Sequence, residues 1–91
     1  MSLFRRERLE SRIQKALAEE LLRSISFDGV LVTLVDVRID EKFEEARVRI
    51  AVIPDEKKQE VLESLNKQAS TLQYALLKKI PVGRIPRLEF K

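Results

Sequence analysis

The spacing of apolar residues divides this chain into segments of two different periods, and the order of those segments constrains the fold more than any other feature. Near the N-terminus the apolar residues recur every three to four positions, which is the period of an amphipathic helix. They are Leu9, Ile13, Ala16, Leu17 and Leu21. This pattern predicts a long helix over residues 3–25, and Asp28 and Gly29 favour a turn after it.

Two segments of period two follow. Residues 31–39, LVTLVDVRI, are rich in β-branched types and predict a strand in which Val35, Val37 and Ile39 share one side. Residues 46–53, ARVRIAVI, alternate apolar side chains with arginines and predict a second strand. Because only a polar connection separates the strands, we expect an antiparallel hairpin whose loop is longer than a tight turn.

A second helical pattern occupies the next part of the chain. We expect it to begin at Pro54 and Asp55, with Asp55 as the N-cap, and to end near Lys79. Three small residues lie in its middle and suggest an interruption there. The apolar stripe that we expect to be buried comprises Val61, Leu65, Ala69, Leu72 and Leu76.

The C-terminal residues predict a short third strand, because Leu88 and Phe90 alternate with charged residues after Pro86. The predicted order is helix, strand, strand, helix, helix, strand. This order favours an α+β architecture with helices packed on one face of a three-stranded sheet. At 91 residues the chain has the length of one domain, which we expect to comprise residues 1–91.

The composition excludes several classes of function. The sequence contains no cysteine and no histidine, which removes disulfides, thiolate metal sites and the commonest neutral-pH base. We therefore expect no metal, no cofactor and no catalytic residue. The apolar runs fall short of the roughly 18 residues that a membrane span needs, and the N-terminus is charged. These features predict a cytoplasmic protein without a membrane partner.

The net charge of +3 conceals an uneven distribution of charge along the chain. Residues 1–16 carry five basic and two acidic side chains, residues 17–65 carry seven and twelve, and residues 66–91 carry six and one. Basic ends around an acidic middle polarise the chain electrically, which matters for a polyanionic partner. The alternative interpretation is a solvated surface stabilised by ion pairs.

Three short motifs follow the basic first helix. They are Val-Thr-x-x-Asp-Val at residues 32–37, Ala-x-Val at residues 46–48 and Pro-x-Leu-x-Phe at residues 86–90. Their order and spacing resemble the ribosome-binding factor A family of bacterial small-subunit assembly proteins over nearly the whole chain. The resemblance implies a KH-like type II domain that binds the free or immature 30S subunit through 16S rRNA. It also implies a non-catalytic monomer that assists late maturation and rRNA processing, with ribosomal proteins and an assembly GTPase as further partners.

The resemblance also implies a role for the small residues inside the second helical pattern, namely a kink between two helices. KH domains hold an RNA backbone with a Gly-x-x-Gly loop between two helices, and the glycines here, Gly29 and Gly83, lie elsewhere. The family has an Ala-x-Gly kink instead, which corresponds to Ala69, Ser70 and Thr71. Since Thr71 replaces the glycine, either the bend is milder, or the hydroxyl groups of Ser70 and Thr71 bond to backbone carbonyls and open the helix locally. The alternative is a continuous helix in which Ala69 is a small contact.

Two groups of residues are candidates for RNA binding. The first group forms a basic stripe on the first helix, beside its apolar face, where it can contact phosphates. It comprises Arg5, Arg8, Arg12 and Lys15. The second group follows the second helix, the next loop and the last strand. It comprises Lys67, Tyr74, Lys78, Lys79, Arg84 and Arg87, in which the tyrosine is either a stacking surface for an unpaired base or a half-buried spacer.

The acidic segment at residues 40–46, DEKFEEA, has two interpretations. It is either a solvated loop tip anchored by Phe43 or a negative surface that keeps RNA away from one side of the protein. Its acidic residues are Asp40, Glu41, Glu44 and Glu45. For the chain as a whole, the alternative function is a KH-like protein-interaction module that does not bind RNA.

Overall fold

A computed structural model describes residues 3–24 and 29–91 and shows an α+β fold with three α-helices and a three-stranded sheet. The predicted order of helices and strands is confirmed. In that order the elements are α1 (Leu3–Ser24), β1 (Leu31–Ile39), β2 (Glu45–Ile53), a 3-10 turn (Asp55–Lys57), α2 (Lys58–Lys67), α3 (Ala69–Lys79) and β3 (Arg87–Phe90).

Gly29 lies in the predicted turn, with φ of 70°. The predicted end of the first helix at Ile25 and the other predicted turn residue, Asp28, lie outside the described residues. Within residues 3–24 and 29–91, no helix has both the length and the apolar character needed to cross a membrane.

β2 lies at the centre of the sheet. It pairs antiparallel with β1, where Ala46 lies opposite Ile39, and this pairing confirms the predicted hairpin. It pairs parallel with β3, where Val48 lies opposite Phe90. The inward side chains of β2 belong to one buried cluster with apolar residues of all three helices. α1 contacts β1, α2 contacts β2 and β3, and α3 contacts β3, so the helices cover one face of the sheet. The inward side chains of β2 are Ala46, Val48, Ile50 and Val52, and all are buried.

Val35 departs from the predicted strand pattern, in which it shares the buried side with Val37 and Ile39. A β-bulge lies between Leu34 and Asp36, which pair with consecutive residues of β2. Val35 is the extra residue and is 45% exposed. The prediction for Val35 is therefore wrong, whereas Val37 and Ile39 are buried. The bulge reverses the alternation of inward and outward side chains at this point.

The start of α2 corrects a second prediction. Asp55 is not the N-cap of this helix, because it lies inside the 3-10 turn. The first hydrogen bond of that turn runs from the Lys57 N–H to the Pro54 carbonyl over 3.0 Å. Such tight turns are frequent at helix N-termini. The α-helix therefore begins at Lys58 and not at Pro54 and Asp55.

The second helical pattern is interrupted at Gln68, between α2 and α3. The φ and ψ angles of Gln68 are −97° and 6°, outside the α-helical region. Its N–H nevertheless donates to the carbonyls of Ser64 and Leu65, at 3.3 and 3.1 Å. The non-helical residue thus lies one position before the small residues 69–71, which form the first turn of α3.

Side chains from two helices cover the edges of the sheet. On the β1 edge, the Glu10 carboxylate accepts the N–H of Ile39 at 2.7 Å, and the Gln14 side chain donates to a β1 carbonyl at 3.3 Å. On the β3 edge, the Asn66 side chain accepts the N–H of Phe90 at 2.9 Å and donates to its carbonyl at 3.2 Å. These bonds satisfy backbone groups that a neighbouring strand would otherwise pair.

Candidate nucleic-acid interface

Four arginines converge on a groove beside the N-terminal half of α1. Arg5, Arg8 and Arg12 are three and four residues apart and therefore share one stripe of the helix. Arg84 lines the same groove from the loop that leads to β3. All four residues are exposed. We call this surface, with the apolar residues beneath it, the arginine groove.

The floor of the arginine groove is apolar. It is formed by Leu9, Phe43 and Val82, which are half-buried, and by Pro86, which is fully buried. The groove has a volume of about 670 Å³, which lies within the range of clefts that hold small ligands. A cationic rim above such a floor can attract an anionic group while the floor contacts an apolar or planar one.

The hydrophobic core positions both walls of the groove. On one side, Ile13 and Leu17 are completely buried and hold α1 on the sheet. On the other side, Ile85 is buried, and its carbonyl accepts a hydrogen bond from the Gln73 side chain at 2.9 Å. Arg84 precedes this anchored residue along the chain. The groove is therefore built on fixed elements of the fold.

Phe43 reaches the groove from the β1–β2 hairpin in an unusual backbone conformation. Its φ is 59°, in the left-handed region where a β-carbon crowds the backbone. The Phe43 N–H donates to the Asp40 carbonyl at 3.1 Å, and the Asp40 carboxylate accepts the N–H groups of Glu44 and Glu45 at 2.8 and 3.2 Å. The hydrogen bond from Glu45 is the main cause that lowers the pKa of Asp40 below its usual 3.8. These bonds fix the turn that holds Phe43.

The four arginines of the groove have no ion-pair partner among the residues that the structure describes. Across residues 3–24 and 29–91, no carboxylate oxygen lies within 4.0 Å of their charged nitrogens. By contrast, Arg87 pairs with Glu45 at 3.1 Å. Arg49 pairs with Asp36 through two hydrogen bonds, which are the main cause that lowers the pKa of Asp36. The groove therefore brings together four arginines that have no ion-pair partner among the described residues.

Lys15 and Lys79 lie next to the arginine groove, in a neighbouring depression that shares Arg12 with it. The Lys79 ammonium lies 3.5 Å from a Glu19 oxygen and 3.9 Å from a Glu20 oxygen, so its charge is partly neutralised. Lys15 is exposed and continues the basic stripe of α1. It extends the positive surface along the helix.

The other predicted RNA-binding residues lie outside the groove. Tyr74 is 61% exposed on α3, and the Lys78 ammonium lies 4.7 Å from the centre of its ring, a cation–π distance. Lys67 is exposed at the end of α2, on a surface that it shares with Phe90. The structure therefore gathers only part of the predicted set. The members outside the groove and its neighbouring depression are Lys67, Tyr74, Lys78 and Arg87.

The floor residues Phe43, Val82 and Pro86 are the part of the site that sequence reasoning missed. Phe43 is the single aromatic residue of the acidic segment 40–46, which is the one local signal that points to it. Its neighbours in the groove come from distant parts of the chain. The Arg84 guanidinium, for example, donates to the Phe43 carbonyl at 3.4 Å across 41 positions.

Comparison with known proteins assigns the chain to a family. Residues 5–91 match the family model described as ribosome-binding factor A. The chain belongs to the ribosome-binding factor A family. Ribosome-binding factor A from Finegoldia magna is 32% identical over 95 residues, which cover 100% of this chain and 78% of that relative. The family membership predicted from the three motifs is thus confirmed.

Solved structures of ribosome-binding factor A share the fold. The crystal structure of the factor from Thermus thermophilus has a TM-score of 0.83 and 28% identity, covering 94% of this chain and 92% of that one. A homology model of the Thermus thermophilus factor, fitted into the cryo-EM map of a 30S complex, has a TM-score of 0.79 and 28% identity. It covers 91% of this chain and 89% of that one.

Proposed function

We propose that this chain binds the free or immature small ribosomal subunit through 16S rRNA and assists its late maturation and rRNA processing without catalysis. The observation that carries the proposal is the convergence on one groove of four arginines that pair with no carboxylate of the described residues. The planar fork of arginine matches the oxygens of a phosphate group. The fitting of the Thermus thermophilus relative into a 30S complex supports the same partner. Residues 1–91 act as one ribosome-binding domain in the cytoplasm.

Preferential binding supplies the mechanism. A factor that contacts one rRNA conformer and not the alternative shifts the population toward the first conformer. A shift from 1:99 to 99:1 requires about 5.5 kcal/mol of differential binding free energy. Since a hydrogen bond to a charged group contributes about 1.5–3 kcal/mol, a few arginine–phosphate contacts suffice. The chain acts as a monomer, with ribosomal proteins and an assembly GTPase as further partners.

Replacement of groove arginines tests this proposal. The double variant Arg8→Gln and Arg12→Gln removes two charges from the groove. The matched control, Arg47→Gln and Lys58→Gln, removes the same charge from two residues that belong to neither predicted RNA-binding group. We expect the groove variant to bind 30S subunits of the same organism more weakly, with a salt slope smaller by roughly 1.4–1.8, because each lost phosphate contact lowers the slope by about 0.7–0.9. The control should keep the wild-type slope.

Sedimentation with purified 30S subunits through density gradients, at several salt concentrations, measures this slope. Circular dichroism of each variant verifies that the fold is intact. If both double variants weaken binding equally, the charge acts diffusely and the groove is not the binding site. If the wild-type protein stays at the top of the gradient at near-physiological salt, the proposal fails and the chain is a protein-interaction module of the same fold.

A further inference from the structure

We propose that the arginine groove takes an unpaired nucleotide, with its base on the apolar floor and its phosphates on the arginine rim. This inference rests on the proposed function and adds a substrate class to it, namely single-stranded RNA in preference to duplex. The observation that carries it is the position of Phe43, Val82 and Pro86 beneath four cations in one cleft.

Phosphate binding alone does not account for the floor of the groove. A sugar-phosphate backbone is held by cations and hydrogen-bond donors, for which no cleft is needed. Here the cations surround a cleft of about 670 Å³ whose lining includes an aromatic ring. Aromatic and arginine side chains stack on the faces of bases, and only the splayed-out base of a single strand can enter such a cleft.

The hairpin places Phe43 in the groove against its backbone preference. Its φ of 59° suits glycine, which has no β-carbon to crowd the chain. Residues in such conformations persist where neighbouring bonds fix them, and they cluster at ligand-binding sites. Asp40 supplies those bonds through its carbonyl and its carboxylate, and Arg84 contacts the Phe43 carbonyl. The ring packs on the core and also lines the groove.

The rim favours a nucleic acid over an acidic peptide, the other ligand that cations above an apolar floor attract. The row from Arg5 to Arg12 extends about 10 Å along α1, at 1.5 Å per residue. Arg84 adds a fourth cation across the groove. An RNA strand repeats its negative charge at every nucleotide, so it can engage the whole row while one base enters the cleft. A peptide has no regular repeat of charge.

Fluorescence anisotropy with synthetic RNAs tests this inference. The probes are a mixed-sequence single strand of about ten nucleotides, a length within the range of known single-strand sites, the same strand with abasic central positions, and its duplex. We expect the intact single strand to bind at least about tenfold more tightly than the other two. The expectation follows from base–aromatic stacking, which changes affinity by about 5- to 150-fold per base.

Variants of Phe43 separate base binding from phosphate binding. Phe43→Ala and Phe43→Leu keep all four arginines, so each should remove the preference for the intact single strand and leave the salt slope unchanged. Arg8→Gln with Arg12→Gln should instead weaken binding of all three probes. Phe43→Trp gives a readout that does not depend on lost packing, because the sequence contains no other tryptophan. Its fluorescence should be quenched by the intact strand and not by the abasic one.

The possible results are distinct. Equal affinity for intact, abasic and duplex RNA, with weaker binding by the arginine variant, overturns the nucleotide site and leaves the proposed function standing. Binding to 30S subunits without binding to any short RNA also overturns the nucleotide site and leaves the proposed function standing. If the wild-type protein binds neither 30S subunits nor any of the short RNAs, both proposals are overturned. Binding of an acidic, aromatic peptide in the groove in place of RNA assigns the groove to a protein segment and overturns the inference.

Discussion

The backbone conformation at Phe43 predicts that a glycine variant is more stable than an alanine variant, the reverse of their usual order of stability. An L-residue with a β-carbon carries about 1–2 kcal/mol of steric energy in the left-handed conformation, and φ at this position is 59°. Glycine avoids that energy but loses more chain entropy on folding, by about 0.5–1 kcal/mol. Phe43→Ala and Phe43→Gly lose the same ring. We therefore expect the glycine variant to be the more stable of the two by about 0.5–1 kcal/mol.

Urea unfolding followed by far-ultraviolet circular dichroism measures this difference, and a thermal scan should show a higher Tm for the glycine variant by roughly 4 °C. Glu63 in α2 provides the matched control, since it is exposed and lies in a helix interior. There, Glu63→Ala should be more stable than Glu63→Gly by about 1 kcal/mol. The reasoning is refuted if alanine is the more stable residue at both positions.

Two further predictions concern ion pairing and the β3 edge. The pKa of Asp36 lies below its usual 3.8, mainly because of its hydrogen bonds with Arg49. The pair therefore stabilises the fold fully at pH values above 3.8, and this stabilisation is lost as the pH falls through the lower pKa of the folded state. Asp36→Asn should thus make unfolding by urea less dependent on pH in the acid range, and an unchanged dependence would contradict this account. Asn66→Ala should lower the free energy of unfolding by about 1–3 kcal/mol, because it leaves two backbone groups of Phe90 without a partner. Asn66→Asp keeps an acceptor for the N–H and should lose less; equal losses would argue against the hydrogen bonds as the cause.

The elements of the fold could be predicted because their signals are local. The bounds of β1, residues 31–39, follow from a run of β-branched residues between turn-forming ones. The stripe of α2 and α3 was equally visible, since its members keep helical spacing. Val61, Leu65, Leu72 and Leu76 are buried, whereas the fifth predicted member, Ala69, is only half-buried. Val35 could not be predicted, because a bulge depends on how two strands pair and not on the residues of one strand.

The candidate site was predictable only in part. Arg5, Arg8 and Arg12 share one stripe of a helix, so their spacing along the sequence reveals their proximity. Arg84 carries no such signal, because its position relative to α1 is set by the packing of Ile85 in the core. The contribution of Phe43 is harder still to foresee, because it depends on a left-handed turn residue for which the sequence offers no glycine or asparagine.

The side chains that cover the sheet edges have a consequence for motion in solution. Backbone amides of edge strands ordinarily exchange their hydrogens with water quickly when one side of the strand is open. Here the Ile39 amide is held by Glu10 of α1, and the Phe90 amide is held by Asn66 of α2. Each amide can exchange only after this side-chain hydrogen bond breaks, through rotation of the side chain or movement of its helix. Exchange at Ile39 therefore reports the contact of its strand with the helix that carries three of the groove arginines, and exchange at Phe90 reports the contact with a helix that carries none.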